Sequence, residues 1–555
     1  MLEQPERTAP GRVPAAGAAA RGEPTTPSSR GTARPWRAAL LLLLGLSGCA
    51  LYTLLERSAS GGLGLPLDDG WIHLTFARNL AAGEGLSYRA DRWVSGSTAP
   101  LWTAILSLGF LLPGHPVHWA KAFGVAAFLA AALATVRLGG ALGLRGWFPW
   151  LAGLLFVLTD WMVWGALSGM EIPMFVLVST FGIELQAREA GAQWQRHWAL
   201  PVLGLATLVR PEGGLLLALA VIERWVRIDF LAGRPRVSAL LRPAWKLAAG
   251  LAVALAVWAP FALFSVLAGG SALPTTFEAK LAAGHKWLPA LRDLWLAAEI
   301  LFRPQPWAFL LAGAGAATLL RRAHAGRSTG SILPLLWLLA LPCAYSLLAP
   351  PGRPMPVGNF GRYLFPLYPA LIVLGVLGMQ SLGRLAWRPW RWRRLLLPVP
   401  LITGAVLTVP SALALLDGAP RYARNVADVE HSDVRAGRWI AEHLPADALL
   451  GVQDVGAIGY FAPNPMLDLV GIVTPEILAP GTGDGVPRVR DLGWLAARVR
   501  ENGVDLLVVF PESYGGEESL VRVLPGLRSI QRFPVRGNIT MAGSELVVYA
   551  LDPRF

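Results

Sequence analysis

The sequence predicts a polytopic α-helical membrane protein with a small α/β domain at its C-terminal end. The first observation is composition: the 555-residue chain is 54% hydrophobic and only 15% charged, with a mean hydropathy of +0.47. Soluble globular domains carry about 25% charged residues, so a soluble enzyme is excluded. The second observation is a series of apolar runs, most of them long enough to cross a bilayer. The third is an alternation of helix-like and strand-like segments after residue 417.

The positive charge of the chain lies in its apolar part. Residues 1–416 carry a formal charge of +18 and residues 417–555 carry −5, which gives the total of +13. A nucleic-acid-binding protein concentrates basic residues on a polar domain, so this distribution argues against a nucleic-acid partner. Cys49 and Cys343 both fall in apolar runs, and no disulfide framework is predicted.

The N-terminal end predicts a cytoplasmic tail followed by a first membrane span. Residues 1–37 are rich in Ala, Pro, Gly, Ser and Arg and are predicted to be a disordered tail. Their six arginines precede the apolar run 38–55, which places the tail in the cytoplasm. The alternative is a lipobox at Leu46–Cys49. We favour a retained helix, because the polar lead is long for a signal peptide and the apolar run continues past Cys49.

Further apolar segments bring the predicted number of spans to about eleven. They are residues 118–136, 147–165, 172–187, 198–209, 213–224, 247–268, 304–320, 331–349, 363–382 and 395–416. The basic clusters between them fall in alternate loops, as an N-terminus inside the cell requires. An odd number of spans puts the C-terminal domain outside. The apolar stretch 99–113 breaks this alternation if it crosses, so we predict an interfacial or re-entrant outer helix there.

Three predicted regions follow from this topology. They are the tail 1–37, a membrane domain 38–416 whose first outer loop is 56–117, and an extracytoplasmic α/β domain 417–555. In the last region, helices are predicted over 434–444 and 492–502, and strands over 448–453, 505–510 and 545–550.

The first outer loop contains an adjacent pair of acids, Asp68 and Asp69, where a helix begins after the first span. Two like charges this close raise the pKa of one of them and make a proton acceptor available, or they hold a divalent cation. The alternative is structural: Asp68 caps the helix and Asp69 interacts favourably with its first turn. Spacing alone leaves both interpretations open.

The motifs of this loop resemble a known family. Asp68-Asp69 is followed by Phe76-Ala77-Arg78-Asn79-Leu80, Gly83-x-Gly85-Leu86 and Gly96-Ser97-Thr98-x-Pro100-Leu101-Trp102. This order resembles the first periplasmic loop of bacterial GT-C glycosyltransferases, in particular the branch of the mycobacterial terminal arabinofuranosyltransferases. Blocks elsewhere resemble the same branch: Ser168–Glu171, Leu208–Gly213, Leu273–Lys280, Gly361–Pro366, Asp454–Tyr460 and Leu467–Gly471.

The resemblance implies a GT-C-type enzyme of the bacterial plasma membrane that works in cell-envelope glycan biosynthesis. Such an enzyme transfers a sugar from a polyprenyl-phosphate donor to a glycan, lipid or protein acceptor at the outer face. Asp68 or Asp69 matches the family position of the catalytic base, and the two acids are predicted to be the base and its partner. An inverting single displacement needs only this base and a cationic site for the leaving phosphate, and a metal at the Asp pair is not required.

Three cations are candidates for the donor phosphate. Arg362 stands at a helix start, where a cation opposes the helix dipole and therefore needs an anionic partner. Lys280 follows an outer Leu-Pro-Thr-Thr stretch, and its alternative role is to reach lipid headgroups. Arg210 lies in a tight turn, and its alternative role is an ion pair with Glu212 or Glu171.

Other residues are predicted to support the site. Glu171, between two spans, could bind the acceptor, orient the base or hold a cation, or simply begin a helix. Arg78 could pair with the Asp pair or face water, and Tyr363 adjoins Arg362. His73 is predicted to be a packed interfacial side chain and is not assigned to the site. In the resembling family the C-terminal domain lies over the active site, where it contacts the acceptor.

Two other functions remain open. A transporter or flippase of lipid-linked sugars favours charges at mid-membrane and repeated broken helices. The unusual charges here are predicted on one face, and no internal repeat is visible, which favours the enzyme. A non-catalytic family member that acts as an assembly partner retains the same motifs. No zinc spacing, Walker loop or nucleophile triad occurs, and no cytoplasmic segment is long enough to bind a nucleotide sugar.

Overall fold

The computed structural model describes most of the chain. The described residues are 35–89, 92–93, 96–192, 197–229, 244–269, 285–325, 331–386, 399–474 and 492–555. Most of the predicted tail and Lys280 lie outside them.

Up to residue 429, the long elements of the described ranges are helices, and a short hairpin of β1 (Ser87–Arg89) and β2 (Arg92–Trp93) lies in the first outer loop. The helices are α1 (Pro35–Ser60), α2 (Asp68–Ala81), α3 (Pro100–Leu108), α4 (Pro116–Ala141), α5 (Phe148–Val157), α6 (Asp160–Ala166), α7 (Ile172–Gly191), α8 (Ala199–Val209), α9 (Glu212–Asp229), α10 (Ala244–Gly269), α11 (Leu291–Phe302), α12 (Pro306–His324), α13 (Leu333–Leu347), α14 (Tyr368–Ala386) and α15 (Val399–Val429). A 3-10 segment, Asn359–Leu367, precedes α14.

Every predicted apolar segment overlaps one of these helices. Within the described ranges, four helices are long and apolar enough to cross a membrane: Pro35–Ser60, Pro116–Ala141, Leu247–Ala268 and Asn359–Arg384. The pair α5 and α6 makes a fifth candidate, although the two helices are bent by 62° at the break between them. The predicted polytopic helical architecture is therefore confirmed in outline, and the count of eleven spans stays a prediction.

The apolar stretch 99–113 forms only a short helix. The nine residues of α3 span about 14 Å, far less than the ~30 Å of a bilayer core. Its Trp102 is buried and donates its indole N–H to the carbonyl of Gly169 at 2.9 Å. This contact fixes α3 against the turn before α7.

The C-terminal region forms a five-stranded mixed sheet in the order β4-β3-β5-β7-β6. Its strands are β3 (Leu450–Val452), β4 (Met466–Asp468), β5 (Leu506–Val509), β6 (Arg528–Pro534) and β7 (Glu545–Ala550), and its helices are α16 (Arg435–His443), α17 (Val455–Phe461), α18 (Leu492–Glu501) and α19 (Glu517–Val523). β3 is parallel to β4 and β5, and β7 is antiparallel to β5 and β6. The predicted strands did not include β4 or β6, and β6 has an exposed, polar pattern.

The helix that leads into this domain continues beyond the predicted boundary at residue 417. α15 runs for 31 residues to Val429, about 46 Å. Its last turns therefore lead directly into the C-terminal domain.

Helix α2 of the first outer loop packs directly on α17 of the domain. Trp71 contacts the rings of Tyr460 and Phe461, each with centroids 5.1 Å apart. The approach is close because Gly456 faces α2: a Cβ there would overlap the backbone carbonyl of Asp68. The glycine of the Asp-Val-Gly-Ala motif thus allows the loop and the domain to meet.

Candidate active site

The two adjacent acids of α2 have different environments. Asp68 turns toward the domain, where its carboxylate accepts the backbone N–H groups of Gly456 at 2.6 Å and Ala457 at 2.7 Å. Burial raises the pKa of Asp68 to about 7, although these amide donors favour the ionised form. Asp68 therefore links the outer loop to the C-terminal domain through these two hydrogen bonds.

Asp69 faces the other way and forms an ion pair with Arg362. Its side chain is 36% exposed, whereas that of Arg362 is only 9% exposed. The structure thus brings together two predicted site residues that lie 293 positions apart in the chain. Asp69 keeps access to solvent, which a carboxylate that receives a proton from a substrate needs.

Arg362 is held by a tight turn with an unusual backbone. Phe360 has a φ of 61° and Gly361 a φ of 79°, both in the left-handed region. A bulky non-glycine residue is rare in that region, and strain of this kind is concentrated at functional sites. The ring of Phe360 stacks on Trp161 with centroids 5.7 Å apart and also contacts Trp164, so aromatic packing stabilises the turn.

A second charged cluster adjoins this pair. The Arg210 guanidinium donates to Glu171 at 2.5 Å and to Glu212 at 2.8 Å and 3.3 Å. All three nitrogens of Arg210 are therefore engaged, and both alternative ion pairs expected from the sequence are present. Burial by itself raises the pKa of Glu171, but Arg210 and His73 reverse this and hold that pKa well below its usual range.

Aromatic rings join the two clusters. The ring of Tyr363 stacks on Tyr345 at 5.4 Å, with the planes 15° apart. The guanidinium of Arg210 lies 5.0 Å and that of Arg362 5.6 Å from the Tyr363 ring centroid. Tyr345 also donates its hydroxyl to Glu212. The ring of Tyr363 therefore contacts the guanidiniums of both arginines.

His73 belongs to this cluster, although sequence reasoning left it out. Its Nε2 lies 3.0 Å from a carboxylate oxygen of Glu171, and both side chains are buried. Helical spacing could have suggested it, because residues four apart share a helix face and His73 follows Asp69 by one turn.

Arg78 lies away from the Asp69–Arg362 pair. It donates to the backbone carbonyl of Tyr460 at 2.8 Å and lies 4.9 Å from the centroid of that ring. Arg78 also lines a polar cleft of about 490 Å³ between the outer loop and the domain, together with Asn79, Glu84 and Asn464.

The donor groups at the Asp pair do not suit a divalent cation. Asp68 is committed to two backbone amides and Asp69 to Arg362. Among the residues that the structure describes, no three His, Cys, Asp or Glu side chains come together in a way that could hold a metal. We therefore derive no catalytic step through a metal at this pair.

The cluster around Arg210 predicts a measurable loss of stability when it is broken. We expect Glu171→Gln to lower the free energy of unfolding by about 3 kcal/mol, because removing one partner of a buried ion pair leaves the other charge uncompensated. The measurement is the thermal unfolding midpoint in detergent. The matched control is Glu501→Gln, which removes an exposed pair with Arg498 and is expected to cost at most about 1 kcal/mol. Equal shifts in the two variants would contradict a structural role for Glu171.

The raised pKa of Asp68 predicts that the stability of the folded protein depends on pH. The folded protein keeps a proton on Asp68 up to a pKa of about 7, whereas the unfolded chain releases it near 4. The contribution of Asp68 to the free energy of unfolding is therefore largest below about pH 4. It falls as the pH rises to about 7 and is constant above that pH. Burial also raises the pKa of Asp433 and Asp454.

We expect Asp68→Asn to flatten the fall in the unfolding midpoint between pH 4 and 7. The exposed Asp447→Asn is expected to leave it unchanged, and an Asp68→Asn profile as steep as that of wild type would refute the assignment.

Two sequence matches cover parts of the chain. Residues 423–549 match the model of a domain of unknown function, DUF8728. The terminal β-(1→2)-arabinofuranosyltransferase of Mycobacterium tuberculosis is 30% identical over 242 residues, which are 40% of this chain. The match covers 35% of that relative, so the chain spans about a third of its length.

Solved structures match nearly the whole chain. ArnT from Cupriavidus metallidurans, in its apo state, superposes with a TM-score of 0.57 at 15% identity over 93% of this chain and 98% of ArnT. The oligosaccharyltransferase of Archaeoglobus fulgidus superposes with a TM-score of 0.59 at 12% identity over 94% of this chain and 75% of that one. The chain has the GT-C fold.

The GT-C fold accounts for the combination of features in this chain. The predicted resemblance is confirmed by these superpositions, and the arabinofuranosyltransferase match supports the predicted branch. ArnT has also been solved bound to undecaprenyl phosphate, and that structure superposes with a TM-score of 0.54 at 16% identity. At these identities, the superpositions establish the fold and leave the reaction to be argued from the site.

Proposed function

We propose that this chain transfers a sugar from a polyprenyl-phosphate donor to an acceptor at the outer face of a bacterial plasma membrane. The observation that carries the proposal is the pair of Asp69 and Arg362: a partly exposed carboxylate held against a buried guanidinium. The GT-C fold puts this pair in the context of proteins that include ArnT, solved with undecaprenyl phosphate bound.

Arg362 is the cation best suited to the donor phosphate. Within the described residues its Nε has no hydrogen-bond partner, and one terminal nitrogen contacts only the sulfur of Met170, at 3.7 Å. Sulfur is a weak acceptor, so Arg362 has N–H donors that no protein oxygen satisfies, and we propose that the donor phosphate accepts them. Arg210 is fully engaged by Glu171 and Glu212, and we assign it a positioning role through Tyr363. Lys280 remains a proposed contact that lies outside the described residues.

The proposed reaction is a single displacement. The acceptor hydroxyl oxygen attacks the anomeric carbon and forms the new glycosidic bond, while the bond from that carbon to the phosphate oxygen breaks. The leaving phosphate takes the bonding electrons, and Arg362 stabilises its growing negative charge. The carboxylate of Asp69 accepts the proton of the acceptor. A displacement from the face opposite the phosphate inverts the anomeric configuration.

We propose that the acceptor binds between the first outer loop and the C-terminal domain. Asp68 ties it to α2 beside the reacting pair, and the polar cleft lined by Arg78, Asn79, Glu84 and Asn464 opens between loop and domain. Charged and amide side chains of this kind hydrogen-bond to sugar hydroxyls. We propose that Glu171 and Tyr363 support the site by fixing Arg210.

The test separates transfer from transport. The full chain is reconstituted in liposomes with a panel of polyprenyl-phosphate sugars and a bacterial envelope extract as acceptor. Transfer predicts one polyprenyl phosphate released for each sugar moved to the acceptor. A flippase instead predicts intact lipid-linked sugar that changes leaflet. A non-catalytic assembly partner predicts neither result.

A further inference from the structure

A second cavity lies on the chain at a different place from the proposed site. It has a volume of about 590 Å³ and opens between the C-terminal end of α1, the last turns of α15 and the loop after β6. Its lining includes none of the residues assigned to the donor or the acceptor.

The lining combines apolar and basic side chains. Leu55 and Ala59 of α1 and Pro420 and Ala423 of α15 form an apolar end. Leu55 is the last residue of the predicted first span, so we place this end where the hydrocarbon core gives way to headgroups. The apolar run that leads into α15 ends at residue 416, at a similar level.

Three arginines line the rest of the cavity: Arg424, Arg435 and Arg536. All three are exposed, and within the described residues none of them donates a hydrogen bond or forms an ion pair. The single acid of the lining, Asp428, is buried and already accepts the backbone N–H of Ile539 at 2.9 Å. The lining therefore carries three arginines against one acid, Asp428, which interacts electrostatically with Arg424, and positive charge is in excess.

We propose that this cavity binds the phosphate of an anionic phospholipid from the surrounding leaflet. Unpaired arginines match phosphate oxygens, and the apolar end accommodates the beginning of an acyl chain. A free phosphate ion would satisfy the arginines but leave the apolar end without an occupant. The bound lipid would link α1, α15 and the C-terminal domain, and this role does not depend on the proposed transferase reaction.

The test measures lipid binding directly on the full chain. The purified protein is titrated with dioleoyl phosphatidylglycerol and, separately, with dioleoyl phosphatidylcholine, and bound lipid is counted by native mass spectrometry. The variant is Arg424→Gln with Arg536→Gln. The matched control is Arg522→Gln with Arg528→Gln, two arginines that are likewise exposed and form no ion pair within the described ranges.

We expect wild type to prefer phosphatidylglycerol and the cavity variant to bind it about thirtyfold more weakly, given the affinity that each basic residue contributes near an anionic membrane. The control variant should bind like wild type, and unchanged thermal unfolding should verify folding. Equal binding of the two lipids, or a cavity variant that binds like wild type, would overturn the proposal. Displacement of phosphatidylglycerol by millimolar inorganic phosphate would also overturn it, because it would identify a free-phosphate site.

Discussion

Replacing Asp69 by asparagine is expected to lower kcat by about a hundred- to ten-thousandfold, the usual contribution of a general base. Asparagine keeps the shape of the side chain but cannot accept the acceptor's proton. KM for the donor should change little, because the phosphate contacts Arg362. The measurement is steady-state release of polyprenyl phosphate with the donor that wild type uses.

The control for Asp69 is Asp447→Asn, an exposed acid of the C-terminal domain that contacts no residue of the proposed site within the described ranges. It should keep wild-type kcat. Asp69→Glu restores the carboxylate and should recover part of the rate. An Asp69→Asn enzyme with wild-type kcat would mean that another group accepts the proton.

Replacing Arg362 by glutamine is expected to reduce kcat by about a hundred- to a thousandfold and to raise KM for the donor. Loss of one preorganised cationic donor removes stabilisation of the leaving phosphate. Removing one hydrogen-bond donor to a developing negative charge lowers kcat by about a hundred- to a thousandfold in other enzymes. Arg362→Lys keeps the charge but loses the bidentate geometry of the guanidinium. Its activity should therefore lie between those of wild type and Arg362→Gln. Product inhibition by polyprenyl phosphate should weaken in the same order.

The control for Arg362 is Arg303→Gln, which removes an exposed ion pair with Glu299. Its kinetics should equal those of wild type. If Arg362→Gln changes thermal stability but neither KM nor product inhibition, Arg362 is a structural partner of Asp69 only.

The helical architecture was predictable because a bilayer imposes a simple rule on sequence. Every apolar segment expected from hydropathy overlaps a helix in the structure. The break between α5 and α6 was not predictable, because Val157 to Asp160 lie within one continuous apolar run. A tertiary contact holds this break in place: Asp160 forms an ion pair with Arg421, which is distant in sequence.

The different roles of Asp68 and Asp69 could not be read from the sequence. Adjacent residues on a helix point about 100° apart, so the two carboxylates cannot both face one site. Which of them faces Arg362 depends on where α17 packs, and that is a contact with residues almost four hundred positions later. In the same way, the partner of His73 became evident only when α2 and the start of α7 were side by side.

The anionic partner of Arg362 illustrates what local electrostatics can predict. A cation at a helix start predicted an anionic partner, which we expected to be the donor phosphate, and the structure has the carboxylate of Asp69 beside Arg362. For Arg210 the sequence offered two acids, Glu212 and Glu171, and the structure uses both. The sequence thus indicated the need for a counter-charge, but only the fold determines how much binding capacity each arginine retains.

The most direct test is the structure of Asp69→Asn in a lipid nanodisc with an intact polyprenyl-phosphate sugar, because this variant should bind the donor without consuming it. We predict the donor phosphate against Arg362, with the anomeric carbon facing the side chain at position 69 and the prenyl chain leaving toward the bilayer. A donor whose phosphate lies elsewhere, for example among Arg424, Arg435 and Arg536, would contradict the proposed site.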